Sequence, residues 1–468
     1  MKHQPWMGFS INRSSSVPVF EQICMAIRKQ AVSGDLAQGK KLPPTRVFAT
    51  ELGVSRSTIV TAYEQLVAEG YLQSIPGSGY TVCPIGSVEL NVSDHPALSK
   101  QPAETIASPK PFQAGQPDMR LFPHLQWAKT ISRVCRTNPQ SMLIGNTVQG
   151  SFALRTAVAN HVSDWRGIAA SPDQIFITAG SGDALELCIR TLSQPDDTIG
   201  LEDPGYLPLQ SFVSVLGLNP AYLSIDKNGA SLSSANKNCQ LMVLTPSHQY
   251  PLGGAMSPSR RLEFIQWAET HNGWIIEDDY DSEFRYAGRP IPAMAGFDNL
   301  SRTIYIGSFS KIFSNSLRLG YVILPSPLVG AFKETLNRFG VRASYMPQQA
   351  LAEFIETGEF YRHLRRMRRV YGERRNFLLD RLSLSFSDHG SFEDHQAGMQ
   401  IAFHLKKTGN DVEVSNRANA EGLTTQPLSK FGSGNSALNG LLLGFCGFTE
   451  AELEEGLQTL ERVLKRGC

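Results

Sequence analysis

Four apolar runs of strand length fall between residues 240 and 324: Gln240–Thr245, Gly273–Glu277, Thr303–Gly307 and Gly320–Leu324. Polar and apolar residues barely alternate within them, so each would be buried on both faces. Helix-length segments separate several of the runs. An earlier strand is expected at Gln174–Thr178, followed by a helix at Ala184–Leu192. This pattern indicates an α/β domain with a sheet buried on both faces. Beyond Leu324 the pattern turns helical, with helices expected at Leu328–Phe339, Pro347–Thr357 and Phe360–Leu384. The last stretch, 392–468, reads as a small α+β subdomain, with strands at Gln400–Leu405 and Gly440–Gly444 and a helix at Glu450–Lys465.

The first 82 residues follow a different plan. Val19, Ile23, Ile27 and Ala31 recur every fourth position, which predicts a helix over 18–33 that Gly34 stops. A second short helix starts near Thr45 and runs through Leu52. Ser55 is a candidate N-cap for a third, Arg56–Glu69. Tyr71–Val82 reads as a hairpin turning at Pro76-Gly77-Ser78-Gly79. That order is a winged helix-turn-helix whose third helix enters the major groove of DNA. Ser55, Arg56, Ser57 and Thr58 in its first turn can donate to phosphates or base edges, and Lys40, Lys41 and Arg46 can grip phosphates. A small helical dimerisation domain is the plainer alternative.

Charge agrees with two modules. The 468-residue chain has 44 Lys plus Arg against 43 Asp plus Glu, which excludes a global attraction to nucleic acid. Residues 1–82, however, hold eight basic and five acidic residues, a local +3. Between the modules, four prolines punctuate 84–110, and the stretch 84–111 is read as a linker. The domain limits are then 12–83, 84–111 and 112–468. The seven cysteines show no metal-type spacing, and no apolar run is long enough to span a membrane. A cytoplasmic location is the default expectation.

The chemistry sits at strand ends. Lys311 follows the run 303–307 within Ser308-Phe309-Ser310-Lys311, which suits a Schiff-base lysine. The hydroxyls and Arg318 could hold a phosphate. Asp278, after the run 273–277, could pair with a protonated pyridine nitrogen, and Tyr280 could reach a phenolic oxygen. Gly180-Ser181-Gly182 opens a helix and offers amides to a phosphate. Tyr206 offers a ring to stack on a planar cofactor. Taken singly, each feature is also ordinary loop or capping chemistry.

Together these motifs carry a resemblance. Residues 18–82, with Leu42-Pro43-Pro44-Thr45-Arg46, Leu52-Gly53-Val54-Ser55-Arg56-Ser57-Thr58 and Gly77-Ser78-Gly79-Tyr80, resemble the GntR family of winged-helix repressors. Residues 112–465 resemble the fold type I aminotransferases that use pyridoxal 5'-phosphate (PLP). Thr245-Pro246-Ser247-His248-Gln249-Tyr250-Pro251 and Glu277-Asp278-Asp279-Tyr280-Asp281-Ser282-Glu283-Phe284-Arg285-Tyr286 are similar to motifs of the MocR subfamily, which fuses the two domains. The resemblance implies a PLP-dependent transcriptional regulator. Lys311 would carry the Schiff base, Asp278 would face the pyridine nitrogen, Tyr280 the 3-hydroxyl oxygen and Tyr206 the ring. Ser181, Gly182, Ser308, Ser310 and Arg318 would surround the phosphate. Gly77 and Ser78 would form the tip of the DNA-contacting wing. It further implies a homodimer with exchanged winged helices, an operator with repeated half-sites, and an effector that is an amine, an amino acid or PLP itself. A genuine aminotransferase with an appended DNA-binding domain is the alternative.

Three departures bear on that alternative. Tyr250 stands where aminotransferases place an asparagine, and Leu442 where they place a carboxylate-binding arginine. Gly182-Asp183 replaces glutamines found in many relatives, which is expected to alter the pocket's electrostatics. Finally, seven arginines crowd Arg362–Arg375. They are read as a solvated helix face with salt-bridge partners, some near the cofactor or the subunit interface, with a second DNA-contacting surface as the other possibility.

Overall fold

The computed structural model describes residues 11–84, 108–142, 147–288, 290–406, 410–433 and 438–466. The chain divides into two compact units, 1–106 and 107–468. Most of the stretch read as a linker, 85–107, lies outside the described residues, as does Cys468.

In the first unit, α1 (Val19–Ser33), α2 (Thr45–Leu52) and α3 (Arg56–Ala68) precede a hairpin of β1 (Leu72–Ile75) and β2 (Gly79–Val82). Gly34 and Gly53 end the first two helices in the left-handed conformation that glycine tolerates best. Ile23, Ile27, Phe48, Ile59, Tyr63, Leu66, Leu72 and Val82 form one buried core. The Tyr63 hydroxyl donates to Pro43 O at 3.1 Å, fixing the turn before α2. Ser55 Oγ accepts from Thr58 N at 3.1 Å and caps α3. Ser55→Ala is therefore expected to cost the first unit about 1 kcal/mol. Ser55→Asp should restore it, as read from the unit's own transition in calorimetry of the full chain.

The second unit begins with α4 (His124–Thr137) and α5 (Phe152–Arg166). Its large sheet contains β3 (Ile175–Thr178), β4 (Thr198–Asp203), β5 (Asn219–Asp226), β6 (Gly229–Ala230), β7 (Leu241–Leu244), β8 (Trp274–Asp279), β9 (Thr303–Ser308) and β10 (Gly320–Ile323), in the order β3-β10-β9-β8-β7-β4-β5-β6. The pairings from β9 through β5 are parallel, and β10 is antiparallel to both its neighbours. Helices α6 (Ser181–Leu192), α7 (Leu207–Val215), α8 (Pro258–Thr270), α9 (Met294–Phe297), α10 (Val329–Phe339), α11 (Met346–Glu356) and the 27-residue α12 (Glu359–Ser385) interleave with and follow these strands. The last subdomain has β11 (Gly390–Phe392), β12 (Gln400–Leu405), α13 (Asp411–Ala420), β13 (Gln426–Pro427), β14 (Gly440–Gly444) and α14 (Glu450–Lys465). Its sheet order is β11-β12-β14-β13. Among the described residues no helix is long and apolar enough to cross a membrane.

Two boundaries differ from expectation by two residues or more. Strand β8 continues past its apolar run to Asp279, because buried partners receive its acids. Helix α6 starts at Ser181, one turn earlier than its apolar stripe.

Candidate cofactor site

A cavity of about 540 Å³ opens where β3, β8 and β9 end. Lys311, Ser181, Gly182, Tyr206, Asp278, Tyr280, Ser308, Ser310 and Arg318 all line it. Nine positions spread over 138 residues of sequence thus meet at one place.

Alternation along β8 decides which acid does what. Glu277 and Asp279 point to one side. Glu277 accepts from Met294 N and Ala295 N at 3.0 and 2.9 Å. Asp279 pairs with buried Arg166 at 2.7 Å and accepts from Tyr305 Oη at 2.6 Å. Asp278 points to the other side, into the cavity wall. Its Oδ1 is shielded from water and has no hydrogen-bond partner among the described residues. Burial, reinforced by Asp279, Glu202 and Asp281 nearby, pushes its carboxyl up to about 7. An orphaned acid in a dry wall is the partner that a protonated ring nitrogen requires.

Lys311 Nζ donates to Gly115 O at 2.9 Å. A Cβ on Gly115 would lie 2.8 Å from that nitrogen, so glycine there leaves the amine its room. Burial lowers the lysine pKa, partly offset by Asp281, and so favours the neutral, nucleophilic amine. Opposite, Gly180 adopts φ +99° and presents the N-terminus of α6 to the cavity. Ser308 Oγ, at the end of β9, accepts from Ser310 N at 3.2 Å. Arg318 sits in the left-handed region at φ +51°, a costly conformation for a residue with a side chain.

Asp281 and His248 were visible only as letters in motifs. In the structure both are buried, and Asp281 lines the cavity. His248 Nδ1 lies 3.0 and 3.1 Å from the two Asp281 oxygens and 3.0 Å from Tyr280 Oη. A nitrogen facing a carboxylate carries the proton. Tyr280 Oη is then a second acceptor of that proton, and its own hydrogen is free for an acceptor in the cavity. Gly398 makes this possible, since a Cβ there would collide with the His248 ring at 2.0 Å.

The structure refines two expectations. Asp183 is not itself part of the cavity lining. It is buried outside the lining, where Oδ2 accepts from Ala179 N at 2.8 Å and Oδ1 meets Arg342 at 3.2 Å. The arginine cluster has the salt-bridge partners expected of it but is only partly solvated. Arg362 and Arg369 are exposed, pairing with Glu359 and Glu373, but Arg374 is buried against Asp118 at 2.8 Å and Arg375 is buried against Asp394. Leu442 is buried beside Ala402, Leu428 and Phe431. Its strand neighbour Gln426 lines the cavity instead.

In the first unit, Lys40, Lys41, Arg46, Ser55, Arg56, Ser57 and Gly77 are exposed, and Thr58 and Ser78 half-buried. Ser55 Oγ lies 2.7 and 2.8 Å from the hydroxyls of Ser57 and Thr58. Arg13, which sequence reasoning passed over, donates to Gly53 O at 2.7 Å at the end of α2.

Comparison with known proteins agrees with this architecture. Residues 112–460 match the family model "Aminotransferase class I and II", and residues 20–82 match "Bacterial regulatory proteins, gntR family". The chain is 33% identical to the "Probable rhizopine catabolism regulatory protein MocR" of Rhizobium meliloti, over 96% of this chain and 94% of that one. It is 32% identical to the "HTH-type pyridoxine biosynthesis transcriptional regulator PdxR" of Corynebacterium glutamicum, over 98% and 99%. Among solved structures, the kynurenine aminotransferase of Pyrococcus horikoshii superimposes with a TM-score of 0.70 at 24% identity, covering 77% of this chain and 92% of its own. PLP is the cofactor of this fold, and the orphaned Asp278, the buried Lys311 amine and the α6 N-terminus fit its ring nitrogen, aldehyde and phosphate. The chain belongs to the MocR subfamily of GntR-type transcriptional regulators, in which a DNA-binding winged helix-turn-helix is joined to a class I and II aminotransferase domain.

Proposed function

We propose that the large domain is the sensor of this regulator, and that it reads an amine, an amino acid or PLP through the cavity around Lys311. The observation that carries the reading is the convergence of Lys311, the unpartnered Asp278 and the α6 N-terminus on one cavity, in a chain that also carries a winged helix. Lys311 would hold PLP through its aldehyde, Asp278 its ring nitrogen, Tyr280 its phenolic oxygen and Tyr206 the face of its ring. Ser181, Gly182, Ser308, Ser310 and Arg318 would hold the phosphate. Bound there, the cofactor supplies a carbonyl that exchanges reversibly between amines.

The remaining steps belong to the chain. Lys311 Nζ has a resting acceptor, Gly115 O, in the segment that follows the stretch read as a linker. Whether the lysine holds Gly115 or the cofactor therefore sets the state of that segment. The loop bearing Tyr206 is tied to the small subdomain. Gly205 N donates to Phe431 O at 3.0 Å, and Ser433 N and Oγ donate to Asp203 at 2.8 and 2.6 Å. A ligand that favours one arrangement of these contacts shifts the equilibrium between two regulator states. The regulator works as a cytoplasmic homodimer with exchanged winged helices, placing two third helices on repeated half-sites. Lys40, Lys41, Arg46, Ser55, Arg56, Ser57, Thr58, Gly77 and Ser78 make the DNA contacts. Selection of genomic DNA fragments with and without PLP tests the reading.

A pH dependence follows from the cavity. Above about pH 7 a protonated ring nitrogen meets the Asp278 carboxylate. Below it, the nitrogen meets a neutral acid, and binding expels a proton. PLP affinity is expected to rise from pH 5.5 to 7.5, and Asp278→Asn should remove one proton, up to about tenfold per pH unit, from that slope. Fluorescence titration of the cofactor at each pH measures it. An unchanged slope in the variant would place the ring nitrogen elsewhere.

A further inference from the structure

A second cavity, of about 260 Å³, is walled by the segments that follow β7 and β8 and by the loop between β11 and β12. None of its described lining residues belongs to the wall around Lys311. His248 joins the two neighbourhoods. Its ring lines the second cavity, while its Nδ1 meets Asp281 and Tyr280 of the first at 3.0 Å.

Arg285, on this wall, is the exception among the arginines of its unit. Every other described arginine there that is buried or half-buried donates to an oxygen; Arg261 uses backbone carbonyls, Arg374 uses Asp118 and Arg381 uses Glu454. Arg285 is half-buried, makes no side-chain hydrogen bond or ion pair among the described residues, and has its Nε shielded from water. A guanidinium has only donors and stays charged at every accessible pH, so shielding it without an acceptor costs free energy. The acceptor that matches its planar fork is an oxyanion.

Three further donors share the wall. Ser247 Oγ accepts from Arg166 Nη2, so its own hydrogen is free for an acceptor, and the buried cation behind it polarises the hydroxyl. Gly254 N and Ala255 N have no acceptor among the described residues. The one acid among the described lining residues, Asp394, is already held by Arg375. The charge of Arg285 is therefore left uncompensated.

We propose that this cavity is a second ligand site of the regulator, which takes a small oxyanion, a phosphate or a carboxylate, on Arg285, with Ser247 and the Gly254 and Ala255 amides completing the cradle. It does not depend on the PLP reading, because the two cavities share no described lining residue.

The test is phosphorus NMR of inorganic phosphate added to the PLP-loaded full-length protein, freed of excess PLP and held at constant ionic strength with chloride. The phosphate of bound PLP gives its own resonance, so the two sites are counted apart. Saturable binding of inorganic phosphate is expected, half-complete at about 1 mM or below. Arg285→Gln should weaken it about tenfold or more, the effect of losing a charge-assisted partner. Arg285→Lys keeps a cation and should recover part of the affinity, which a misfolded loop would not do. Acetate distinguishes the two sources of oxyanion: displacement of phosphate by acetate marks a site that accepts carboxylates, and persistence of phosphate marks a phosphate site. No saturable binding, binding that chloride alone removes, or equal binding in Arg285→Gln would overturn the proposal. Absence of a bound PLP resonance would instead overturn the cofactor reading. The comparison with Arg285→Gln would still decide the second site, since that variant leaves the first cavity unaltered.

Discussion

Lys311→Ala is expected to leave the protein with no PLP adduct that borohydride can fix, against about one per chain in the unmodified protein. The lysine is the amine of the cavity wall, its Nζ is held 2.9 Å from Gly115 O, and burial favours its neutral form. Condensation with an aldehyde needs that neutral amine, and surface lysines are almost wholly protonated near pH 7. Lys311→Arg keeps a cation in place yet cannot condense, so it should lose the adduct equally. That pairing separates covalent capture from simple charge. Mass spectrometry of the reduced, digested protein reads the result. A stoichiometric adduct surviving on another lysine would sink the assignment.

Replacing Arg46 and Arg56 together with alanine should weaken operator binding by about 30-fold or more at near-physiological salt. Both side chains are exposed, and neither has a carboxylate partner among the described residues. Arg56 lies in the first turn of α3, where base edges are read, and each specific base contact is worth about 1–3 kcal/mol. Arg46 lies in the first turn of α2, where a phosphate contact is expected. Its loss should reduce the salt dependence of log affinity by about one unit, whatever the DNA sequence. The core of Ile23, Phe48, Ile59 and Tyr63 is untouched, so the melting curve of the first unit should hardly move. Unchanged affinity in the double variant would move the DNA interface off this face.

Much of this architecture was legible because burial writes itself into composition. The runs at β7, β8, β9 and β10 are apolar enough to be read as buried strands, and the glycine stops and Ser55 cap of the first unit are local signals. Strand β4 was not read. Its Thr-Ile-Gly-Leu-Glu-Asp run mixes glycine and acids, yet Glu202 is buried because Thr245 N and Oγ1 satisfy it, a partner 43 residues away. The same long-range satisfaction carries β8 through Asp279. Proximity of Asp183 to Gly182 in sequence likewise says nothing of its turn-capping bond to Ala179. His248 and Asp281 stood in quoted motifs, but their shared proton depends on Gly398, 150 residues from the histidine. Sequence pattern reports the environment a residue needs. It does not report which distant residue provides it.

The central claim is that DNA binding and the Lys311 cavity are two ends of one switch. It is tested most directly by selecting genomic fragments with the purified full-length protein, with and without PLP, at about 0.15 M salt, a concentration at which non-specific binding is weak. The account predicts recovery of a site with repeated half-sites, with occupancy that changes when PLP is added and that no longer changes in Lys311→Ala. Recovery of no sequence above bulk DNA in either state, or of a site whose occupancy ignores both PLP and Lys311, would contradict it.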